Sequence, residues 1–352
     1  MSDMVTIKID GKKISARSGE NLLAVAKQNN IFIPSLCFHP KLTPTGACRL
    51  CIVKIKDQRG LVPACTVSVS DGMEVTAFDA ELEEARRYLL DYLLSEHNEA
   101  SDKSYDDEFK SLVARYGLDD PAKRQFPSLW KSLGYPIDDS SPVLTYDASK
   151  CVKCFRCIKA CDEVQGKKVL SFAKRGITSY VIGGFGVWGE SECDGCGECI
   201  QLCPTGAIVE KPNREVLKTA TAKSKVISTC PYCGVGCQIE MKVKENRIMR
   251  VNGAEGLKPN DGRLCVKGRF GYAYVGSPDR LTRPLIKRNG QFVETGWDDA
   301  LDLVATKFNA IKEKYGNDAL AGYASAKCTN EDNYIFQKFI RTAFGTNNLD
   351  YC

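Results

Sequence analysis

The stretch Cys151-Val152-Lys153-Cys154-Phe155-Arg156-Cys157-Ile158-Lys159-Ala160-Cys161 decides how this chain is read. It recurs further along as Cys193-Asp194-Gly195-Cys196-Gly197-Glu198-Cys199-Ile200-Gln201-Leu202-Cys203-Pro204. Each copy spaces its cysteines C-x2-C-x2-C-x3-C, so a short turn aims three thiolates at one metal centre. Eight cysteines in this repeated order far exceed what a zinc ribbon uses. Working outward, Cys37, Cys48, Cys51 and Cys65 precede the pair, and Cys230, Cys233, Cys237 and Cys265 follow it. Sixteen of the eighteen cysteines thus fall into four quartets. Each quartet has iron–sulfur spacing, which points to single-electron chemistry.

Composition narrows the setting. The 352 residues, 43% of them hydrophobic, suffice for two or three globular domains. Disulfides would explain many cysteines in a small secreted chain, but residues 1–10 alternate Val5, Ile7 and Ile9 with polar neighbours and read as a strand. No charged leader with an apolar core and no twin-arginine start is visible, and no run approaches a membrane span. A cytoplasmic protein with metal-bound thiolates is expected. The net charge of +5 is spread among 44 acidic residues. Nucleic-acid binding is not expected, although a modest positive surface suits an acidic electron carrier.

The repeated motif resembles that of two-cluster bacterial ferredoxins. The resemblance implies crossed ligand sets, in which the fourth cysteine of each copy starts a helix leading away and serves the other cubane. One [4Fe–4S] cluster would use Cys151, Cys154, Cys157 and Cys203, the other Cys193, Cys196, Cys199 and Cys161. Asp162 stands where the first copy would often have proline.

The first quartet, C-x10-C-x2-C-x13-C, lies in a segment with its own pattern. A strand through Val5 and Ile9 turns at Asp10-Gly11 into a second near Ile14, and Ser18 is expected to cap a helix carrying Leu22, Leu23, Val25 and Ala26. The segment Thr45-Gly46-Ala47-Cys48-Arg49-Leu50-Cys51 gives a small-residue loop. This resembles a β-grasp [2Fe–2S] ferredoxin. Its long first interval resembles the N-terminal domain shared by the large iron–sulfur subunit of respiratory complex I, iron-only hydrogenases and NAD-linked formate dehydrogenases. The fourth quartet reads Cys230-Pro231-Tyr232-Cys233-Gly234-Val235-Gly236-Cys237 and closes at Gly262-Arg263-Leu264-Cys265-Val266-Lys267-Gly268. It resembles the [4Fe–4S] domain of molybdenum or tungsten bis-pterin oxidoreductases, close in wording to formate dehydrogenases and assimilatory nitrate reductases. In that family a lysine after the last ligand lies between cubane and pterin. The resemblance gives Lys267 this cofactor-binding, electron-relay role; the plain alternative is a solvated turn lysine.

One station is expected to be missing. Asp79 to Glu96 reads as a helix with Leu82, Ala85, Leu89, Leu90, Leu93 and Leu94 on its apolar face and Asp79 as N-cap. In the families resembled it leads to a cluster held by H-x3-C-x2-C-x5-C, where this chain has His97-x3-Ser101-x2-Ser104. A serine hydroxyl is a poor iron ligand, so no cluster is expected here and His97 reads as a polar helix-end residue favoured by the C-terminal dipole. One [2Fe–2S] and three [4Fe–4S] clusters sum to about fourteen irons.

The expected fold is multidomain α+β. It comprises a β-grasp [2Fe–2S] domain at 1–78, a helical connector with a degenerate cluster region at 79–145, a two-cluster ferredoxin-like domain at 146–212, a β-rich [4Fe–4S] domain of bis-pterin oxidoreductases at 223–281, and at 282–352 the truncated beginning of an α/β molybdopterin-binding domain. A helix is expected from Asp106 to Tyr116, a strand and turn at Val181 to Gly186, and strands at Ile239 to Val243 and Ile248 to Val251. Beyond Leu285, Trp297 to Tyr315 and Glu331 to Phe344 read as helices and Ala319 to Ala324 as a strand. Cys328 reads as a free thiol near the pterin pocket. Cys352 is not assigned a role, and the catalytic residues are expected beyond it. The glycines at Gly183-Gly184-Phe185-Gly186 lack the context of a dinucleotide fingerprint.

Taken in order, these modules resemble the α subunit of a cytoplasmic NAD(P)- or ferredoxin-coupled formate dehydrogenase. The resemblance implies interconversion of formate and carbon dioxide at a molybdenum or tungsten bis-pterin guanine dinucleotide. It also implies a flavin- and NAD(P)-binding, diaphorase-type iron–sulfur partner. An electron-bifurcating version with ferredoxin or a hydrogenase subunit is compatible. The alternative is a non-catalytic electron-transfer subunit of a hydrogenase or NADH/ferredoxin oxidoreductase complex. The Cys230 motif argues against an iron-only hydrogenase, and the paired ferredoxin repeats argue against a complex I subunit.

Overall fold

Asp10 and Gly11 both take positive φ, 48° and 79°, the pair a tight hairpin needs for its twist to match its strands. They join β1 (Met4–Ile9) to β2 (Lys12–Arg17), with Ile9 opposite Lys12. The computed structural model describes residues 4–99, 107–211 and 224–351. The chain divides into two units, Met1–Thr221 and Ala222–Cys352, and each is taken by itself.

In the first unit β1 runs parallel to β5 (Glu74–Thr76). That strand pairs antiparallel with β3 (Ile52–Ile55), and β3 with β4 (Val62–Pro63), giving the order β2-β1-β5-β3-β4. Helix α1 (Leu22–Gln28) buries Leu22, Leu23, Val25 and Ala26 in one core with Val5, Ile7 and Ile9, which is the β-grasp arrangement. Its N-cap is Asn21 rather than Ser18. The Asn21 side chain accepts from the Ala24 amide at 3.1 Å and donates to the Cys65 carbonyl at 2.6 Å. Ser18 lies too far before the first helical turn to reach its amides.

Helix α2 (Ala80–Ser95) starts at Asp79, whose carboxylate accepts from the Leu82 amide at 2.8 Å. Its buried stripe is Leu82, Arg86, Leu90 and Leu94, while Leu89 and Leu93 are only partly covered. Arg86 is 0% exposed. Its guanidinium bonds Glu83 and the Ile52 carbonyl, both at 2.6 Å, so the helix is tied to the strand that follows Cys51. Helix α3 (Glu108–Arg115) begins at Asp107 and buries Phe109, Leu112 and Val113.

The ferredoxin-like part carries a sheet of β6 (Ile137–Asp138), β7 (Leu144–Asp147) and β10 (Ile208–Glu210), with β7 central. A separate hairpin of β8 (Leu170–Ala173) and β9 (Tyr180–Gly183) fills the interval between the motifs. Each motif enters a one-turn helix, α4 (Arg156–Lys159) or α5 (Glu198–Gln201). Here the expectation needs correcting. The third cysteine lies on the helix, and the fourth follows it, Cys161 in a wide turn over Ala160–Val164 and Cys203 after α5. The helix starts before the third cysteine because a left-handed residue, Phe155 in the first motif and Gly197 in the second, turns the chain into it there.

The second unit opens with the antiparallel sheet β11 (Ser224–Thr229), β12 (Gln238–Lys244) and β13 (Arg247–Gly253). Gly253 lies against the backbone of Gly262, where an added Cβ would overlap the carbonyl; this close approach brings the Cys265 segment beside the sheet. Helix α6 (Val266–Phe270) follows Cys265. Next come the hairpin β14 (Leu285–Arg288) and β15 (Gln291–Glu294), then helix α7 (Trp297–Tyr315). The strand expected from Ala319 is shorter: Asn317–Ala319 is a 3-10 turn, and β16 spans Gly322–Ala324. Helix α8 (Asn330–Phe339) and a wide turn at Ile340–Phe344 lead to β17 (Leu349–Tyr351), parallel to β16. Parallel strands joined through a helix are α/β structure.

Asn21→Ala should lower stability by roughly 2 kcal/mol, about half from the cap and half from the lost bond to Cys65. Ser18→Ala should leave the urea midpoint unchanged. Equal effects from the two would assign the cap wrongly.

Candidate metal centres

The first quartet is fully enclosed: Cys37, Cys48, Cys51 and Cys65 are all buried. The loop bearing Cys48 and Cys51 turns through left-handed residues at Gly46 and Arg49, φ 63° and 60°. Cys65 sits in a 3-10 turn at Ala64–Thr66, fixed by the Ala64 amide on the Cys51 carbonyl at 2.8 Å. Hydrogen bonds from Cys48 and Cys65 hold the Cys37 thiol far below its ordinary value, and the Cys65 thiol lowers Cys51 likewise. Hydrogen bonding to Cys37 pushes Cys48 and Cys65 up, and burial adds to it. Four thiols in one dry site cannot all become thiolates unless a polycation shares their charge, as iron in a cluster does.

Cys151, Cys154, Cys157 and Cys203 line one small cavity, together with Tyr146, Pro204 and apolar neighbours. Burial pushes the thiols of Cys151, Cys154 and Cys157 up, and Cys203 acts on all three in the same direction. Cys193 is raised by burial and by Cys161 from the other motif, and the Lys167 ammonium feels both Cys196 and Cys161. Cys199 also acts on Cys157, so the two motifs face each other. Cys203 thus lies with the first three cysteines of the other motif, and Cys161 lies within electrostatic reach of Cys193. In the second unit, Cys237 feels Cys230, Cys233 and Cys265, and the Cys230 amide donates to the Cys237 carbonyl at 2.8 Å. Burial pushes Cys230 up, Cys265 and Cys233 add to this, and the Lys267 ammonium opposes them. Lys267 thus lies within electrostatic reach of this quartet, in the first turn of α6.

Backbone amides aim at these sulfurs. Leu36 donates to Cys48 Sγ at 3.4 Å, Lys153 to Cys151 Sγ at 3.4 Å, and Val169 to Cys161 Sγ at 3.3 Å. Amides pointing at sulfur favour the thiolate and stabilise added negative charge. Among the described residues, no three His, Cys, Asp or Glu side chains are arranged to hold a single metal ion; a multi-iron cluster holds its four sulfurs farther apart than one ion does. The donor chemistry fits clusters in all four places.

His97 departs from expectation. It is 2% exposed, neither ring nitrogen has a hydrogen-bond partner among the described residues, and its ring stands edge-on to Phe109 at 4.7 Å. It borders a cavity of about 320 Å³ lined also by Glu99, Lys110 and Asp119. Burial, helped by the charges of Lys150 and Lys110, lowers its pKa to about 3. The ring is neutral, so the helix dipole gives it no charge-based advantage. Ser101, Ser104 and Cys352 lie outside the described residues. Cys328 is half-buried in the loop before α8, its amide on the Ser325 carbonyl. Three residues about the cubane motifs went unread in sequence: Tyr146, Lys153 and Arg156. A charged residue inside a cysteine motif was the visible signal for the last two.

The regions match known families in chain order. Residues 2–79 match the 2Fe-2S iron–sulfur cluster binding domain. Residues 141–209 match the ferredoxin-like domain of NADH-quinone oxidoreductase subunit 3. Residues 223–277 match the molybdopterin oxidoreductase Fe4S4 domain, and residues 280–352 molybdopterin oxidoreductase. The chain is 35% identical over 350 residues to NADPH-Fe(3+) oxidoreductase subunit alpha of Geobacter sulfurreducens, covering 99% of this chain and 40% of that protein. It is 33% identical to the second G-type subunit of NADH-quinone oxidoreductase of Rhizobium meliloti, with the same coverage. A Staphylococcus aureus protein provisionally named a formate dehydrogenase is 29% identical over 396 residues, covering 100% of this chain and 39% of that protein. A chain in the crystal structure of an NAD+-reducing [NiFe]-hydrogenase aligns with a TM-score of 0.53 and 28% identity, covering 59% of this chain and 88% of that one. The chain spans about 40% of the length of these curated relatives. It carries a 2Fe-2S domain, a ferredoxin-like iron–sulfur domain, the Fe4S4 domain of molybdopterin oxidoreductases and the start of their catalytic domain. Over this span it is homologous to the G-type subunit of NADH-quinone oxidoreductase. Among the described residues, no helix is long and apolar enough to cross a membrane.

The buried imidazole sets a pH dependence. Below pH 6.5 the unfolded chain takes a proton that the folded chain refuses until about pH 3. The stability contributed by the neutral ring is complete above pH 6.5 and drains away between 6.5 and 3. One pH unit into that window the loss is ~1.4 kcal/mol. His97→Leu should flatten the fall in urea midpoint from about pH 8 to about pH 5.5; an unchanged acid limb would clear His97 of the effect.

Proposed function

We propose that this chain is the iron–sulfur portion of a bis-pterin formate dehydrogenase, carrying electrons between a molybdenum or tungsten site and a flavin- and NAD(P)-binding partner. The observation that carries the reading is the order of four cysteine quartets ending at a molybdopterin oxidoreductase domain. The Staphylococcus relative and the wording of the Cys230 motif favour formate. Three similar proteins have names containing NADPH, NADH or NAD+, which favours a nicotinamide-linked partner.

In this reading Cys37, Cys48, Cys51 and Cys65 hold a [2Fe–2S] cluster. Cys151, Cys154, Cys157 and Cys203 hold one [4Fe–4S] cluster, Cys193, Cys196, Cys199 and Cys161 a second, and Cys230, Cys233, Cys237 and Cys265 a third. When bound, these groups supply one-electron redox centres whose potentials follow hydrogen bonding, charge and exposure. The chain's own residues set those conditions. Burial keeps water from the first quartet, the amides of Leu36, Lys153 and Val169 donate to cysteine sulfurs, and Lys267 places a cation beside the last quartet.

A second reading is a nicotinamide-linked iron–sulfur oxidoreductase that does not act on formate. The higher identity to the Geobacter protein favours it. The native protein decides between them. Molybdenum or tungsten by mass spectrometry, with formate-dependent viologen reduction, supports the first reading; metal without formate activity leaves the second. A protein with neither metal would be an electron-transfer subunit alone.

Iron should number about fourteen per chain, and roughly eighteen would reveal a fifth cluster. Cys203→Ala should remove the same electron paramagnetic resonance signal as Cys154→Ala. Cys161→Ala should match Cys196→Ala. Pairing by motif instead would refute the crossed ligand sets.

A further inference from the structure

Arg156 lies between Cys154 and Cys157, yet its side chain leaves that turn. It is 4% exposed. Nη1 donates to Glu108 Oε1 at 2.7 Å; Nη2 donates to Glu108 Oε2 at 2.9 Å and to the Phe38 carbonyl at 2.8 Å. Phe38 follows Cys37, and Glu108 opens α3. One planar fork therefore joins the loop of the first quartet, the loop of the next and the connector helix. Apolar packing is continuous around it, since Cys37, Cys48 and Cys154 share a buried cluster with Leu90 and Phe109. Apolar contacts alone are non-directional and would let the loops slide; a bidentate guanidinium fixes distance and angle together.

The charges of this pair are not equally placed. Arg156 is buried, whereas the side chain of Glu108 is 49% exposed. Water screens the carboxylate on its outer side, so the guanidinium's field is less compensated toward the cysteines. A cation beside an iron–sulfur centre favours its reduced, more negative state.

We propose that Arg156 is a positioning residue with two effects. Its fork fixes the spacing between the Cys37 quartet and the quartet of Cys151, Cys154, Cys157 and Cys203, and its charge raises the reduction potential of the latter. The inference rests on the reading that both quartets hold clusters.

Redox titration of the native protein, followed by electron paramagnetic resonance, tests it with three variants. Arg156→Gln should make the Cys151 centre at least tenfold harder to reduce, about 59 mV for one electron. Glu108→Gln should shift it the opposite way and by less, because the carboxylate is half exposed. Arg156→Lys keeps the charge and should hold the potential, but it loses the fork and should weaken magnetic coupling between the two reduced centres. Opposite shifts for Arg156→Gln and Glu108→Gln support the proposal. Shifts of one sign, or lowered melting temperatures with unmoved potentials, overturn it in favour of a purely structural ion pair. If Arg156→Gln does not assemble, Glu108→Gln and Arg156→Lys carry the test. A wild-type protein lacking iron and cluster signals would instead remove the reading of the quartets, a result distinguishable from clusters present at unmoved potentials.

Discussion

Gathering thiols in fours, away from water, is the constraint on which the rest of this structure depends. It requires turns tighter than regular elements allow, and so left-handed residues between the cysteines. The two ferredoxin-like motifs meet this need at equivalent positions with different residues. The second uses Gly195 and Gly197, φ 68° and 73°; the first uses Lys153 and Phe155, φ 54° and 68°. Glycine takes that conformation freely, while a side chain there costs about 1–2 kcal/mol. Both side chains offset the cost through contacts: Lys153 bonds Glu96 and Tyr135, and the Phe155 ring meets Phe172 edge-on at 4.8 Å. The strained positions of the first motif are also its fastenings to the connector and to the β8–β9 hairpin.

The same constraint accounts for the long interval between Cys37 and Cys48. Leu42 packs with Ala160, Val164 and Leu202 beside the cubane motifs, and the Thr43 amide donates to Glu163 at 2.7 Å. The extra residues are thus a docking arm. The connector locks the arrangement from the other side, with the Asn98 amide on the Ser149 carbonyl at 2.8 Å and the Phe109 amide on the Pro204 carbonyl at 3.1 Å. Ser149 and Pro204 each lie within two residues of a cysteine of one quartet, so backbone hydrogen bonds carry the fastening and side-chain identity matters little there. Cys37, Cys48 and Cys154 share one buried apolar cluster as a result.

Features set by neighbours in sequence were legible, and features set by neighbours in space were not. The quartets are spacing, and helix Trp297–Tyr315 is an apolar period bounded by Gly296 and Gly316, so both could be read directly. Ser18 and Asn21 are both good caps; what selects Asn21 is the Cys65 carbonyl, distant in sequence. The leucines of α2 suggested a broad apolar face. The buried stripe instead passes through Arg86, because the Ile52 carbonyl and Glu83 are there to receive it. Arg156 is set by neighbours in space in the same way. Its partners, Phe38 and Glu108, belong to other segments, and nothing in Cys-Phe-Arg-Cys announces them.

His97 is held by packing, since neither ring nitrogen has a hydrogen-bond partner among the described residues. Each unpaired buried nitrogen costs about 1–3 kcal/mol relative to a bonded one, so the ring's place must rest on packing. Its edge-on contact with Phe109 is that packing, and aromatic pairs of this geometry contribute about 0.5–1.5 kcal/mol beyond area burial. Phe109 is the pivotal neighbour. Its ring sits in the cluster containing Cys37, Cys48 and Cys154, and its amide holds the Pro204 carbonyl one residue after Cys203. The neutral ring packs against Phe109, so the polar cost at His97 is set against a contact with the residue that joins this cluster to Pro204.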